Sequence, residues 1–112
     1  MRIEETHEGN VVILSVMDNR IDARVAPELK RLIMEVVDRG NDRVNLDLSN
    51  VDFVDSSGLG VIVTILKLVG KRGDLAISGA KETVLDLFRL TRLDKIFRLY
   101  PSSTEAVAAL AA

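Results

Sequence analysis

The stretch "LDLSNVDFVDSSGLGVIV", residues 46–63, carries the chain from one periodicity to another. Leading into it, Val44, Leu46 and Leu48 alternate with Asn45 and Asp47, the period of two expected of a strand that buries one face more thoroughly than the other. Beyond the serines, residues 59–69 read "LGVIVTILKLV". Their β-branched content favours a strand, whereas their length and lack of internal turn signals favour a buried helix. The reading adopted is a helix from Ser57 to about Arg72, closed by Lys71, Arg72 and then Gly73. At the junction stand Asp55, Ser56, Ser57 and Gly58. Small hydroxyls at a strand-to-helix turn can be a helix cap, a nucleophile or the site of a covalent switch.

Working outward, Arg2 to Glu8 and Val11 to Met17 are β-prone stretches around the turn pair Gly9-Asn10, which predicts a hairpin. From Ala23 onward Val25, Ala26, Leu29, Leu32, Ile33, Val36 and Val37 recur at spacings of three and four, marking an amphipathic helix that ends near Arg39-Gly40. Pro27 belongs in its first turn, because deeper in the helix it would lose a backbone hydrogen bond and clash. Downstream, Asp74 to Ser78 predicts a strand, Lys81 to Leu90 a helix, and Phe97 to Tyr100 a short strand. A final helix opens at Pro101-Ser102, where Ser102 and Glu105 have the spacing of a capping box. The order β-β-α-β-α-β-α-β-α predicts an α/β domain with parallel neighbours joined by right-handed crossovers, one domain spanning 1–112.

With 47% hydrophobic and 29% charged residues, the chain has the composition of a globular domain whose core is built from Val, Leu and Ile. A formal charge of −2 supplies no positive field for nucleic acid or an acidic membrane, so no direct nucleic-acid or membrane partner is expected. The start lacks an apolar signal segment, and the longest apolar run, Val61 to Val69, is too short to span a bilayer. The absence of cysteine removes disulfides and thiolate chemistry and suits a reducing, cytoplasmic setting.

Catalytic constellations are hard to assemble from these residues. A nucleophilic serine needs a base within reach, and the only histidine, His7, lies in the N-terminal hairpin. A nucleophile elbow needs glycine two residues before the serine, where Val54 and Asp55 stand. Asp47, Asp52 and Asp55 suggest a magnesium site or phosphoacceptor pocket, but acidic residues near a helix start are also favoured by the dipole and by turn chemistry. The glycines around Lys71-Arg72 lack the spacing of a phosphate-binding loop. What remains is the serine pair. Either serine can cap the helix, yet two exceed what one cap requires. A phosphate beside the cap would add a charge of about −2 where free backbone N–H groups tolerate an anion.

These residues resemble the STAS domains and, within them, the bacterial anti-sigma factor antagonists. The likeness rests on residues 46–63, with "IDARVAPELKRLI" at 21–33 and "LFRLTRLDKIFRLY" at 87–100 in support. It implies a STAS-type β/α superhelix, a mixed sheet with packed helices. It implies a non-enzymatic partner switch with no cofactor and no metal. The unphosphorylated protein would bind an anti-sigma factor that is also a GHKL-type serine kinase and so free a sigma factor. Phosphorylation of Ser56 would end the binding and a PP2C-type phosphatase would restore it, the free protein being a monomer or weak dimer. By the same likeness Asp22, Asp55, Ser56, Ser57, Gly58 and Leu59 form the partner-binding face, Leu59 leaning to core and Gly58 allowing a partner or its ATP close to the backbone. Related switch modules serve secretion, motility or stress signalling.

Two positions depart from the family pattern. Many members have glycine before the Leu-Asp pair that corresponds to Ile21-Asp22, where this chain has Asn19-Arg20; an asparagine with positive φ would preserve the turn. Many carry Thr-Gly-Leu where this chain has Thr91-Arg92-Leu93, which leaves the form of the turn at Arg92 open without touching Ser56.

Overall fold

A computed structural model describes residues 1–112. The hairpin forms as its turn residues require: β1 (Ile3–Glu8) and β2 (Val11–Val16) pair antiparallel around Gly9-Asn10, with Glu8 opposite Val11 and Gly9 at φ 59°. The chain continues through β3 (Arg20–Ile21), α1 (Ala26–Asp38), β4 (Arg43–Asp47), β5 (Phe53–Val54) and α2 (Ser56–Gly70). Then follow β6 (Asp74–Ser78), α3 (Glu82–Leu90), a 3-10 turn at Leu93–Lys95, β7 (Arg98–Tyr100) and α4 (Ser103–Ala111). The ambiguous run at 59–69 is helical, and Pro27 sits in the first turn of α1.

The main sheet has the order β1-β2-β4-β6-β7; β1 is antiparallel to β2 and every other neighbour pair is parallel. Strand alternation sends Val12, Leu14, Val44, Leu46, Leu75 and Ile77 to one face, where α1, α2 and α3 bury Leu29, Ile33, Ile62, Ile65, Val84 and Phe88 against them. The outer strand β1 is exposed from Glu4 to Glu8, and its three glutamates suit an open sheet edge that must not pair with another chain.

The opposite face is covered by α4, which buries Ala106 and Leu110 on Val11 and Ala76. The alternation around Asn45 predicts a less buried second face for β4, yet Asn45 is fully buried, because α4 roofs it. Burying an amide is costly unless its groups are bonded. Asn45 Oδ1 accepts from Ser78 Oγ at 2.8 Å, and Asn45 Nδ2 donates to Ser103 Oγ at 2.7 Å. Ser102 caps α4 as expected, accepting from Glu105 N at 3.2 Å, but the reciprocal bond that would complete a capping box is not made.

Two features were not foreseen. β3 and β5 form a separate parallel ladder, Arg20 opposite Phe53 and Ile21 opposite Val54. Strands of two residues are too short to carry a readable alternation. This ladder brings the segment before α1 beside the turn before α2. The second feature concerns the two departures from the family pattern. Arg92, at φ 60°, is the only non-glycine residue with positive φ. It therefore adopts the left-handed conformation that glycine would take more cheaply, while Asn19 does not use it; the Asn19 carbonyl instead accepts from Asp52 N at 2.7 Å.

Candidate functional site

The turn from β5 into α2 is built around one carboxylate. Asp55 is the N-cap of α2, in extended conformation, and its Oδ1 accepts from Gly58 N at 2.7 Å. Neither serine caps the helix, which corrects the expectation that Ser56 or Ser57 would; aspartate is as good a cap as serine and stands one residue earlier. The other oxygen, Oδ2, accepts from Ala23 N at 3.2 Å, so the same side chain ties the start of α2 to the segment entering α1.

With the cap supplied by Asp55, Ser56 and Ser57 occupy the first helical turn, both exposed, and neither hydroxyl has a hydrogen-bond partner in the chain. Their backbone N–H groups, which precede the first intrahelical donors, have no hydrogen-bond partner in the chain. Two free hydroxyls therefore sit over unbonded amide donors at the positive end of a helix dipole, a setting that accepts an added anion.

Gly58 is buried, and its lack of a side chain is used within the chain. A Cβ there would overlap the Ile21 carbonyl oxygen and lie 2.9 Å from the Ile21 carbonyl carbon and Cγ2. The close approach expected of a partner or its ATP is thus occupied by the β3 strand, and Gly58 sets how tightly α2 packs on it. Leu59 is half-buried against the main core, in keeping with its reading as a packing residue.

Asp22 stands at the start of the turn leading into α1. Its carbonyl accepts from Val25 N and Ala26 N at 3.1 and 2.9 Å, and its Oδ1 accepts from Arg24 N at 3.0 Å. Its Oδ2 lies 3.3 Å from Arg20 Nε. The ladder thus brings Asp22, Asp55, Ser56 and Ser57 into one neighbourhood, with Gly58 and Leu59 beneath it.

The three aspartates that might have shared a metal do separate work. Asp47 accepts from Ser49 N at 2.9 Å and Ser15 Oγ at 3.3 Å, Asp52 pairs with Lys81, and Asp55 caps α2. No group of three His, Cys, Asp or Glu side chains is arranged to hold a metal ion. His7 is engaged with Glu5 on the edge strand at 2.8 Å. That hydrogen bond, with one from Arg39, holds the Glu5 carboxyl below its ordinary value. No helix is long and apolar enough to cross a membrane.

Sequence reasoning missed two exposed residues beside this turn. Phe53 is 48% exposed, and the Arg20 guanidinium carbon lies 4.9 Å from its ring centroid. The available signal was an aromatic residue next to the serine motif in a chain with only three Phe and one Tyr.

Comparison with known proteins bears on this geometry. The family model described as "STAS domain" matches residues 2–106. An anti-sigma-B factor antagonist of Bacillus subtilis is 33% identical over 88 residues, which make up 78% of this chain and 80% of that protein. An anti-sigma F factor antagonist of Paenibacillus polymyxa is 29% identical over 112 residues, covering 98% of this chain and 95% of the relative. The crystal structure of an anti-sigma factor antagonist from Mycobacterium paratuberculosis superimposes with a TM-score of 0.89 at 29% identity, covering 99% of this chain and 94% of the other. With a mixed sheet, helices on both faces and a family match over nearly its whole length, the chain belongs to the STAS domain family, among the anti-sigma factor antagonists.

Proposed function

We propose that residues 1–112 act as one unit, an anti-sigma factor antagonist that works in the cytoplasm as a binding protein and not as an enzyme. The unphosphorylated form binds an anti-sigma factor carrying a GHKL-type serine kinase site and so releases the sigma factor held by it. Phosphorylation of Ser56 ends the binding, and a PP2C-type phosphatase restores it. The observation that carries this reading is the division of labour at the start of α2: Asp55 makes the cap, leaving the adjacent hydroxyls exposed and unbonded. A phosphate on Ser56 would add a charge of about −1.5 to −2 next to Asp55, on the face a partner would cover. Like charge and lost shape fit then act together, while the helix start itself tolerates the anion. Between the two hydroxyls, Ser56 is favoured because it directly follows the aspartate, the position the family motif designates.

The reading is tested by binding to the source organism's purified anti-sigma factor. Ser56→Ala should bind as wild type does and stay bound when ATP is added, whereas Ser56→Asp should bind more weakly by a factor of about ten or more. Equal binding of wild type and Ser56→Asp, or release of Ser56→Ala on adding ATP, would contradict it.

A further inference from the structure

The two faces of the sheet are covered by different means. The main core, which holds α1, α2 and α3, joins 21 buried residues, all of them apolar. The core under α4 is separate and has four, Val11, Ala76, Ala106 and Leu110, with Tyr100 and Val107 half-buried against it. Of α4 itself, only one alanine and one leucine are buried. The chain's only buried polar side chains, Asn45 and Ser78, also lie on this face, bonded to each other and, through Asn45, to Ser103.

Hydrophobic stabilisation grows with the apolar area removed from water, so α4 is held far more weakly than the helices opposite. Much of its hold is one hydrogen bond, in which Ser103 Oγ accepts from Asn45 Nδ2 at 2.7 Å. Such a bond contributes little net when water can replace it, and water reaches Asn45, Ser78 and Ser103 once the helix lifts. The strip under α4 is therefore cheap to wet, whereas the all-apolar face is not. Between β7 and α4 stand Pro101 and Ser102 alone, and Ser102 caps α4, so it moves with the helix.

We propose that α4 is a hinged cover that leaves the sheet as one unit while β1–β7 and α1–α3 stay folded. Opening turns at the Pro101-Ser102 link and exposes Val11, Asn45, Ala76 and Ser78. The helix α2, which carries Ser56, remains packed on the opposite face. Ser103 is the latch, since its hydroxyl joins the buried Asn45 amide to the helix. Units with few buried apolar contacts open below the free energy of global unfolding.

The test is native-state hydrogen exchange, read by NMR on the full chain in rising urea below the unfolding transition. Protection of the α4 amides and of the Asn45 side-chain amide should be at least about tenfold lower than that of the best-protected β4 and β6 amides. It should also depend weakly on urea, because little surface is exposed. Ile62→Val, in the opposite core, should speed exchange in β4 and β6 by about twofold to tenfold and leave α4 unchanged. Ser103→Ala should speed the α4 amides from Ala106 to Ala111 by one common factor, about tenfold or more, and Ser103→Thr should restore protection. Exchange of α4 with the urea dependence of β4, or an equal response to Ile62→Val, would mean that α4 opens only in global unfolding and would overturn the inference. A gradient of exchange rising toward Ala111 that Ser103→Ala leaves unchanged would also overturn it, since that is fraying of the helix end.

Discussion

The molecule has two serine pairs at helix starts, Ser56-Ser57 at α2 and Ser102-Ser103 at α4, and they are used in opposite ways. At α4 both hydroxyls are consumed. Ser102 accepts from Glu105 N, and Ser103 accepts from the buried Asn45 amide, which also holds Ser78. At α2 neither is consumed, because Asp55 makes the cap and also bonds Ala23 N. Identical local sequence therefore signifies structure in one place and availability in the other. What separates them is the residue before the pair: proline, without a side-chain acceptor, precedes the first serine at α4, and aspartate does so at α2.

This contrast can be broken from either end. Ser103→Ala should have the largest effect, since it strands a fully buried amide donor of Asn45 beneath α4; a loss of about 2 kcal/mol is expected in urea unfolding. Ser57→Ala, the matching change at α2, should alter stability by less than about 0.5 kcal/mol in the same experiment, since it removes no hydrogen bond. A comparable loss at both positions would mean that Ser57 has a structural partner after all. Asp55→Ala comes next: it removes the α2 cap and the tie to Ala23, with an expected cost of about 1.5 kcal/mol. Faster amide exchange should follow at Gly58 and Ala23 together, whereas exchange rising at Gly58 alone would show that the two helix starts are not joined through this carboxylate. Ser102→Ala should fall between Asp55→Ala and Ser57→Ala, costing about 1 kcal/mol from a single cap, with fraying confined to the first turn of α4.

Much of this architecture was readable in advance where pattern and length agree. The hairpin, α1 with Pro27 in its first turn, the helical nature of residues 59–69 and the Ser102 cap each follow from local chemistry. The unread parts depend on distant segments. Asn45 looks solvent-facing within its own strand, and only the return of α4 across the sheet buries it. Gly58 suggests an open approach for a partner, but the obstacle to a side chain is Ile21, 37 residues earlier by their numbers, delivered by a ladder too short to leave a pattern. Either serine of the pair has the chemistry of a cap, but Asp55 has equal capping capacity and stands one residue earlier, where the helix begins. Arg92 in the left-handed region marks a place where the chain tolerates a conformational cost that its local sequence does not advertise.

The comparison of the two serine pairs is tested most directly by incubating the chain with the source organism's anti-sigma factor and ATP, then locating phosphate on all four serines by fragment mass spectrometry. The account predicts phosphate on Ser56, with Ser102 and Ser103 unmodified because their hydroxyls are spent in the fold. Phosphate at α4, or none on Ser56 when the kinase is active and bound, would contradict it.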